Sequence, residues 1–152
     1  MSILVHRLTR LIELHADALA ATLEARIASS ERCAAYDRVS AGELKTLVAG
    51  IYGQLGDWLV NKTEGDIERR YSMIGARRAE QRVPVSQVLW CIVLVKENLW
   101  EYLREQEALE NVSQIFGELA LMQLVDQFFD RAIYFAVRGH EQRLAELAEA
   151  KR

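Results

Sequence analysis

Proline interrupts this chain of 152 residues only once, at Pro84. Proline has no backbone N–H and rarely continues a helix, and the eight glycines add few further chain reversals. So few breaks favour a handful of long helices over many short strands. The composition, 51% hydrophobic and 27% charged, is that of an ordinary globular domain. The sequence therefore predicts an all-α fold, a multi-helix bundle of about five long helices.

The residues on either side of Pro84 predict two helices joined by a tight turn. Because proline restricts the residue before it, the first helix should end near Arg82 or Val83, and Ser86 is a good N-cap for the second. The second helix is apolar nearly all round, and such a helix is normally enclosed by its neighbours. We therefore expect it to be the central helix of the bundle. Its apolar run of about eight residues argues against membrane insertion, since about 20 are needed to span a bilayer.

Apolar periodicity divides the whole chain into five predicted helices. Their ranges are about 3–28, 41–60, 67–82, 87–106 and 112 to the C-terminus. Ser40 and Glu43 match a capping box at the start of the second helix. Gly50, Gly53 and Gly56 recur along it at every third position, which indicates the close approach of a neighbouring helix. A phosphate-binding loop is the alternative, but no Gly-Lys-Ser/Thr sequence completes it.

The last helix carries an unusually wide apolar surface. At 100° per residue, the apolar residues of 121–136 cover about half of its circumference. One neighbouring helix needs a narrower arc, so we expect two neighbours and assign one of them to a second copy of the chain. The predicted homodimer interface consists of Leu121, Leu124, Phe128 and Phe135. The polar residues 139–152 should bury little, and they predict either a frayed helix end or a linker from a helical domain, residues 1–138, to an output module.

Charge and cysteine content narrow the class of protein. The formal charge of −3 argues against a nucleic-acid binder, which would need a basic excess. The amphipathic N-terminus shows no signal peptide. Cys33 and Cys91 lack metal-binding spacing and a secretory context, so we expect reduced thiols in the cytoplasm.

The three histidines offer little for catalysis or metal binding. His15 lies on the apolar stripe of the first helix, which favours a core histidine. His140 begins His-Glu-Gln-Arg, a partial match to a kinase phosphoacceptor box that lacks the following Thr-Pro or Asn-Pro. A histidine phosphotransfer protein using either residue is therefore the alternative function. No Glu-x-x-His pair is present for a di-iron site, and no histidine lies between these two for haem, so we expect no metal, no cofactor and no enzymatic activity.

Two further sets of residues suggest ligands. Helical spacing puts Arg78 on the buried side of its helix, where a guanidinium demands a partner. The partner is either an internal carboxylate that locks two helices, or an anionic ligand held by Arg78 with Arg77. Trp90 and Trp100 would line the bundle centre, where a carrier protein could hold a small apolar ligand.

The region around Pro84 also resembles a known family. The resemblance rests on Tyr71, Gly75, Arg78-Ala79, the Val83-Pro84-Val85-Ser86 turn, Lys96, Leu99-Trp100 and Leu103, with support from His15-Ala16 and Trp58-Leu59. These residues are similar to the N-terminal regulatory domain of RsbR-type co-antagonists of bacterial stress signalling, the RsbRD-like N-terminal domain. The resemblance implies an all-helical sensor domain without catalytic residues, which precedes a STAS domain or a histidine kinase. Related members are globin-like without haem. We therefore expect a cytoplasmic, non-catalytic regulatory domain that dimerises and signals to an output partner.

Overall fold

The computed structural model describes residues 3–61, 64–105 and 112–151. Within these ranges the chain forms six α-helices, one 3-10 helix and no strand, which confirms the all-α prediction. The α-helices are α1 (Ile3–Leu14), α2 (Ala16–Ser29), α3 (Ala41–Asn61), α4 (Glu64–Glu80), α5 (Val85–Glu105) and α6 (Val112–Ala150), and the 3-10 helix spans Glu31–Arg38. No helix of this described part is long and apolar enough to cross a membrane.

The first predicted helix is wrong, because it is two helices. The backbone leaves helical geometry at His15, with φ −117° and ψ 19°. This break lets α1 bury Leu8 against α3 while α2 buries Leu23 against both α3 and α5. His15 is only half-buried, with its ring centroid 5.3 Å from that of Tyr102, so it is not the core histidine expected. Apolar spacing runs on through the break, so periodicity alone gave no sign of it.

The segment after α2, which lies between the first two predicted helices, is a 3-10 helix with a kink at Cys33. It packs against α5 and buries Cys33 and Tyr36. The backbone N–H of Ala35 donates to Oε1 of Gln87 at 2.7 Å. The segment is thus part of the core rather than a surface connection.

The start of α3 confirms one half of the predicted capping box. The backbone N–H of Glu43 donates to Oγ of Ser40 at 3.2 Å, whereas the Glu43 carboxylate bonds to residues of α4 and of the turn that follows it. The close approach of a neighbouring helix predicted at Gly50, Gly53 and Gly56 is confirmed in part. A Cβ on Gly50 would meet the Arg70 side chain and one on Gly56 the Thr9 methyl group at 3.4 Å, so neither glycine meets another backbone. Gly53 faces open space, with nothing within 4 Å of such a Cβ.

Helix α5 has one enclosed side and one open side. Val88, Cys91, Val95 and Leu99 are buried in the core, as expected for a central helix, but Leu89 is 36% exposed. The remaining prediction for this helix, that Ser86 is its N-cap, was wrong. The helix begins at Val85 and Ser86 is exposed in its first turn, because the carbonyl of Pro84 accepts the N–H groups of residues 87 and 88. A proline at this position loses nothing by lacking an N–H.

Helix α6 is a single helix of 39 residues, which confirms its predicted length. It packs most extensively against α4 and also contacts α1, α3 and α5. These neighbours within one chain cover the centre of its wide apolar arc, so that Phe128, Phe129, Ala132 and Ala136 have no exposed surface.

Candidate functional site

Two glycines bring the backbones of α4 and α6 into direct contact. A Cβ on Gly75 would overlap the carbonyl of Ala136 and lie 2.9 Å from the backbone nitrogen of His140. A Cβ on Gly139 would overlap the backbone of Ser72. Gly75, one of the residues on which the family resemblance rests, is therefore a glycine required by packing. Gly139 was missed, although a glycine inside a stretch of helix formers, at a cost of about 1 kcal/mol, is itself a signal of close contact.

Arg78 lies beside this crossing and forms an internal ion pair. Its side chain is 3% exposed and its Nη1 donates to Oε1 of Glu43 at 2.9 Å and to Oε1 of Gln81 at 2.7 Å. Glu43 also accepts from Nε of Arg77 at 3.1 Å and from Nε2 of Gln81 at 2.9 Å. The pair ties the first turn of α3 to the last turn of α4, so the internal-carboxylate interpretation is confirmed.

Electrostatics inside this group favour a charged carboxylate. Burial raises the pKa of Glu43, but the hydrogen bonds from Arg78, Arg77 and Gln81 together lower it below its ordinary value. Arg77 is 55% exposed and also lies 3.4 Å from Glu80. Because both arginines already bond Glu43, an anionic ligand at Arg77 and Arg78 stays a prediction.

The turn between α4 and α5, residues 81–84, is held from two sides. Helix α4 closes with bonds from the Arg82 N–H to the carbonyl of residue 79 (3.0 Å) and from the Val83 N–H to the carbonyl of residue 78 (2.9 Å). Arg82 has φ 62°, a left-handed conformation that usually belongs to glycine at a helix end. The Arg82 carbonyl accepts from Nη1 of Arg38 at 2.6 Å, and the Val83 carbonyl bonds Nε2 of His140 at 2.7 Å. Side chains from the 3-10 helix and from α6 therefore hold consecutive carbonyls of one strained turn.

His140 is a buried residue, contrary to the expectation that residues 139–152 bury little. Its side chain is 3% exposed. Because a carbonyl can only accept, Nε2 must carry the hydrogen, and Nδ1 is left buried without a partner. A phosphoacceptor has to offer a ring nitrogen to another protein, and this geometry offers none at the surface. Beyond His140 the helix emerges: Arg143 pairs with Glu80 at 3.0 Å, and Leu144 is 48% exposed.

The two cysteines are buried thiols. Burial raises the pKa of Cys91 to about 12 and also raises the pKa of Cys33. The thiolate is the reactive form of cysteine, so we expect both side chains to react slowly in the folded protein. Among the residues that the structure describes, no group of three or more His, Cys, Asp or Glu side chains is arranged to hold a metal ion.

The aromatic residues that the sequence analysis singled out lie in different environments. Tyr71 has no exposed surface and packs edge-on against Phe128 with ring centroids 5.9 Å apart. Trp90 and Trp100 are half-buried on α5, and the guanidinium of Arg32 covers the Trp90 ring at 4.3 Å. An open pocket of about 40 Å³ lies elsewhere, between α2 and α5. A carrier function at Trp90 and Trp100 stays a prediction.

The residues predicted for a dimer interface divide into two groups. Leu121 and Phe128 belong to the core, with 7% and 0% exposure. Leu124 and Phe135 are half-buried, and the Leu124 backbone carbonyl accepts from Nε1 of Trp58 on α3 at 3.1 Å. The first group stabilises the single chain.

Comparison with known proteins identifies the family. No curated protein and no solved structure matches the chain. A family model, described as the RsbT co-antagonist protein rsbRD N-terminal domain, matches residues 16–152. The match begins at the first residue of α2 and includes both the α4–α6 crossing and the held turn. The chain therefore belongs to the RsbT co-antagonist RsbRD N-terminal domain family and has a regulatory role in signalling.

Proposed function

We propose that the chain is a non-catalytic regulatory domain that forms a homodimer through α5 and α6 and passes its conformational state along α6 to an output partner, a STAS domain or a histidine kinase. The observation that carries this proposal is the division of α6. Residues 121–140 contribute to the core, whereas residues 141–150 extend beyond it, with Leu144 48% exposed and Leu147 half-buried. One rigid helix thus joins a packed body to a surface that is free to bind.

A population shift between two packings is the proposed mechanism. Because α4 and α6 touch backbone to backbone at Gly75 and Gly139, the two helices cannot slide independently at that point. A ligand or partner that prefers one packing of the bundle would shift the population of both helices together. The exposed end of α6 would then change its position relative to the output partner.

An open apolar face on α5 and α6 supports the dimer. Lys96 pairs with Asp126 at 3.0 Å and Val83 bonds His140, so the two helices run antiparallel in a known register. Counting residues along both helices from these two contacts brings Leu89 level with Ile133 and Trp100 level with Met122. These side chains are half-buried or about one-third exposed. Such a surface can be buried by a two-fold related copy of itself.

Multi-angle light scattering tests the dimer directly. We expect the mass of a dimer at high micromolar concentration, and Leu89→Lys should shift the population toward monomer because it places a charge in the open face. Met73→Lys is the matched control. Met73 is 72% exposed and sits two residues from Gly75, on the side of α4 turned away from α6. A wild-type monomer, or equal dissociation by both variants, would refute the proposed dimer.

Titration calorimetry with a purified STAS-domain protein of the same signalling system tests the output. Leu144→Glu should weaken binding at least about tenfold if residues 141–150 form the contact, since one buried charge costs more than 1.4 kcal/mol. Met73→Glu should bind like wild type. Equal affinity for all three proteins would contradict a contact through the end of α6.

A further inference from the structure

The held turn between α4 and α5 connects two parts of the molecule that are far apart in sequence. We propose that the hydrogen bonds of Arg38 and His140 to this turn couple the 3-10 helix to the exposed end of α6. The inference rests on the proposed function for the role of α6 as the output. It adds the route by which a change elsewhere in the domain reaches that helix.

The geometry of the turn makes its two bonds depend on each other. The Arg82 carbonyl and the Val83 N–H belong to one planar peptide group. That group is fixed at one edge by Arg38 and at the other by the carbonyl of residue 78. If it rotates, Arg82 leaves its left-handed conformation, and the next carbonyl, which His140 binds, changes direction. A shift of Arg38 is thereby passed to α6 through two adjacent peptide groups.

The strain at Arg82 reduces the difference in free energy between the observed conformation of the turn and a released one. Arg82 is a non-glycine residue in the left-handed region, where its Cβ lies too close to the following carbonyl oxygen. The surrounding bonds therefore hold the turn against a local preference for another conformation, and the loss of one bond favours release. This differs from an unstrained turn, where the loss of one bond would change stability without changing conformation.

Charged and polar neighbours of His140 reinforce the connection. Arg143 follows it by one turn on α6 and pairs with Glu80 at the end of α4. Gln81, the first residue of the turn, is bonded to both Glu43 and Arg78. Hence α6 holds the end of α4 at His140 and again at Arg143, and the mostly exposed end of α6 follows directly.

Amide ¹H–¹⁵N correlation spectra of the intact chain can test the coupling. Arg38→Met removes the donor on the 3-10 helix, and Arg38 is exposed, so the variant should fold. We expect the amide peaks of residues 141–150 to move, although these residues are remote from Arg38 in sequence. His140→Leu should move the same peaks along the same line, because two states in fast exchange give collinear shifts. In the double variant the shift should be smaller than the sum of the two single shifts.

Two further variants serve as controls. His140→Gln keeps a donor near the position of Nε2 and should leave the peaks of residues 141–150 close to wild type. Arg82→Gly relieves the strain and so favours the observed turn. The peaks of residues 141–150 should then stay at their wild-type positions or move along the same line in the direction opposite to that of Arg38→Met. Unmoved peaks in Arg38→Met, or peaks that move in unrelated directions in the two single variants, would overturn the proposal.

The outcome is separable from that of the proposed function. The coupling is read within one chain, so its peaks can move even if light scattering shows a monomer, and then only the dimer fails. A confirmed dimer with unmoved peaks in Arg38→Met would refute the coupling alone. If His140→Leu does not fold, Arg38→Met and Arg82→Gly still decide the question.

Discussion

Replacing Glu43 by alanine should destabilise the protein more than replacing Arg78, although the two side chains form one ion pair. In Glu43→Ala the guanidinium of Arg78 remains and is only 3% exposed. It loses its bond to the Glu43 carboxylate and keeps the one to Oε1 of Gln81. A buried charge deprived of its counter-charge costs about 3–5 kcal/mol. We expect the free energy of unfolding to fall by that amount.

The reverse change leaves a better solvated charge. In Arg78→Ala the carboxylate of Glu43 keeps its bonds from Arg77 and Gln81, and it is 30% exposed. The loss is then mainly that of a hydrogen bond between charged groups, about 1.5–3 kcal/mol. Arg77→Ala is the matched control and should lower the free energy of unfolding least, since Arg77 is 55% exposed and surface ion pairs contribute little.

Urea unfolding, followed by tryptophan fluorescence and far-UV circular dichroism, measures the order of these effects. Urea is preferable to guanidinium chloride because salt screens ion pairs. The double variant Glu43→Ala/Arg78→Ala should be more stable than Glu43→Ala alone, since it removes the stranded charge. If Arg78→Ala proves at least as costly as Glu43→Ala, or if the double variant is the least stable, the interpretation of this group is wrong.

The lowered pKa of Glu43 predicts how the stability of the protein depends on pH. The folded pKa of Glu43 is lowered, because hydrogen bonds from Arg78, Arg77 and Gln81 outweigh the effect of burial. A carboxylate of this kind stabilises the fold above its unfolded pKa of about 4.3, and that contribution is lost as the pH falls through the folded value. Glu43→Gln should therefore lose stability less steeply than wild type below about pH 4.5. Parallel curves for the two proteins between pH 3 and pH 7 would contradict this.

Three further changes test the packing. Gly75→Ala should lower the free energy of unfolding by about 1–3 kcal/mol or more, because the added methyl group overlaps α6. Gly53→Ala, whose methyl group meets nothing within 4 Å, should raise it by about 0.5–1 kcal/mol. Thermal denaturation of the two variants tests both effects. Arg82→Gly should raise the free energy of unfolding by about 0.5 kcal/mol, because glycine adopts the left-handed conformation without strain; a clear loss in urea unfolding would count against this. Cys33 and Cys91 should resist Ellman's reagent at pH 8 until urea unfolds the chain, and rapid labelling of the native protein would show that they are not buried.

The sequence predicted features whose causes lie within one helix. The length of α6 follows from a long stretch without proline, and the burial of Arg78 from its spacing with Tyr71. Each of these needs only the helical repeat and the chemistry of one side chain.

The features that were missed depend on partners distant in sequence. The break at His15 is fixed by the different neighbours of α1 and α2, and the spacing of apolar residues continues through it. The burial of His140 is due to a backbone carbonyl, that of Val83, which has no side-chain signature. The left-handed conformation of Arg82 follows from the way in which α4 ends before α5 begins. A glycine at this position would have indicated it in the sequence.

Two of these missed features, the burial of His140 and the left-handed Arg82, meet at the turn that contains Pro84, and this explains why the family motif there looks structural rather than chemical. The end of α4 is joined to α3 through Glu43, to the 3-10 helix through Arg38 and to α6 through His140. A site whose task is to bind or convert a substrate would expose such polar groups, whereas here their partners lie inside the chain. Residues that tie four segments together at a strained turn are suited to report the arrangement of the whole bundle. Selection on signalling would then act on the packing at this end of α4. In the proposed function, a partner would detect the arrangement by binding the surface of α6 beyond His140.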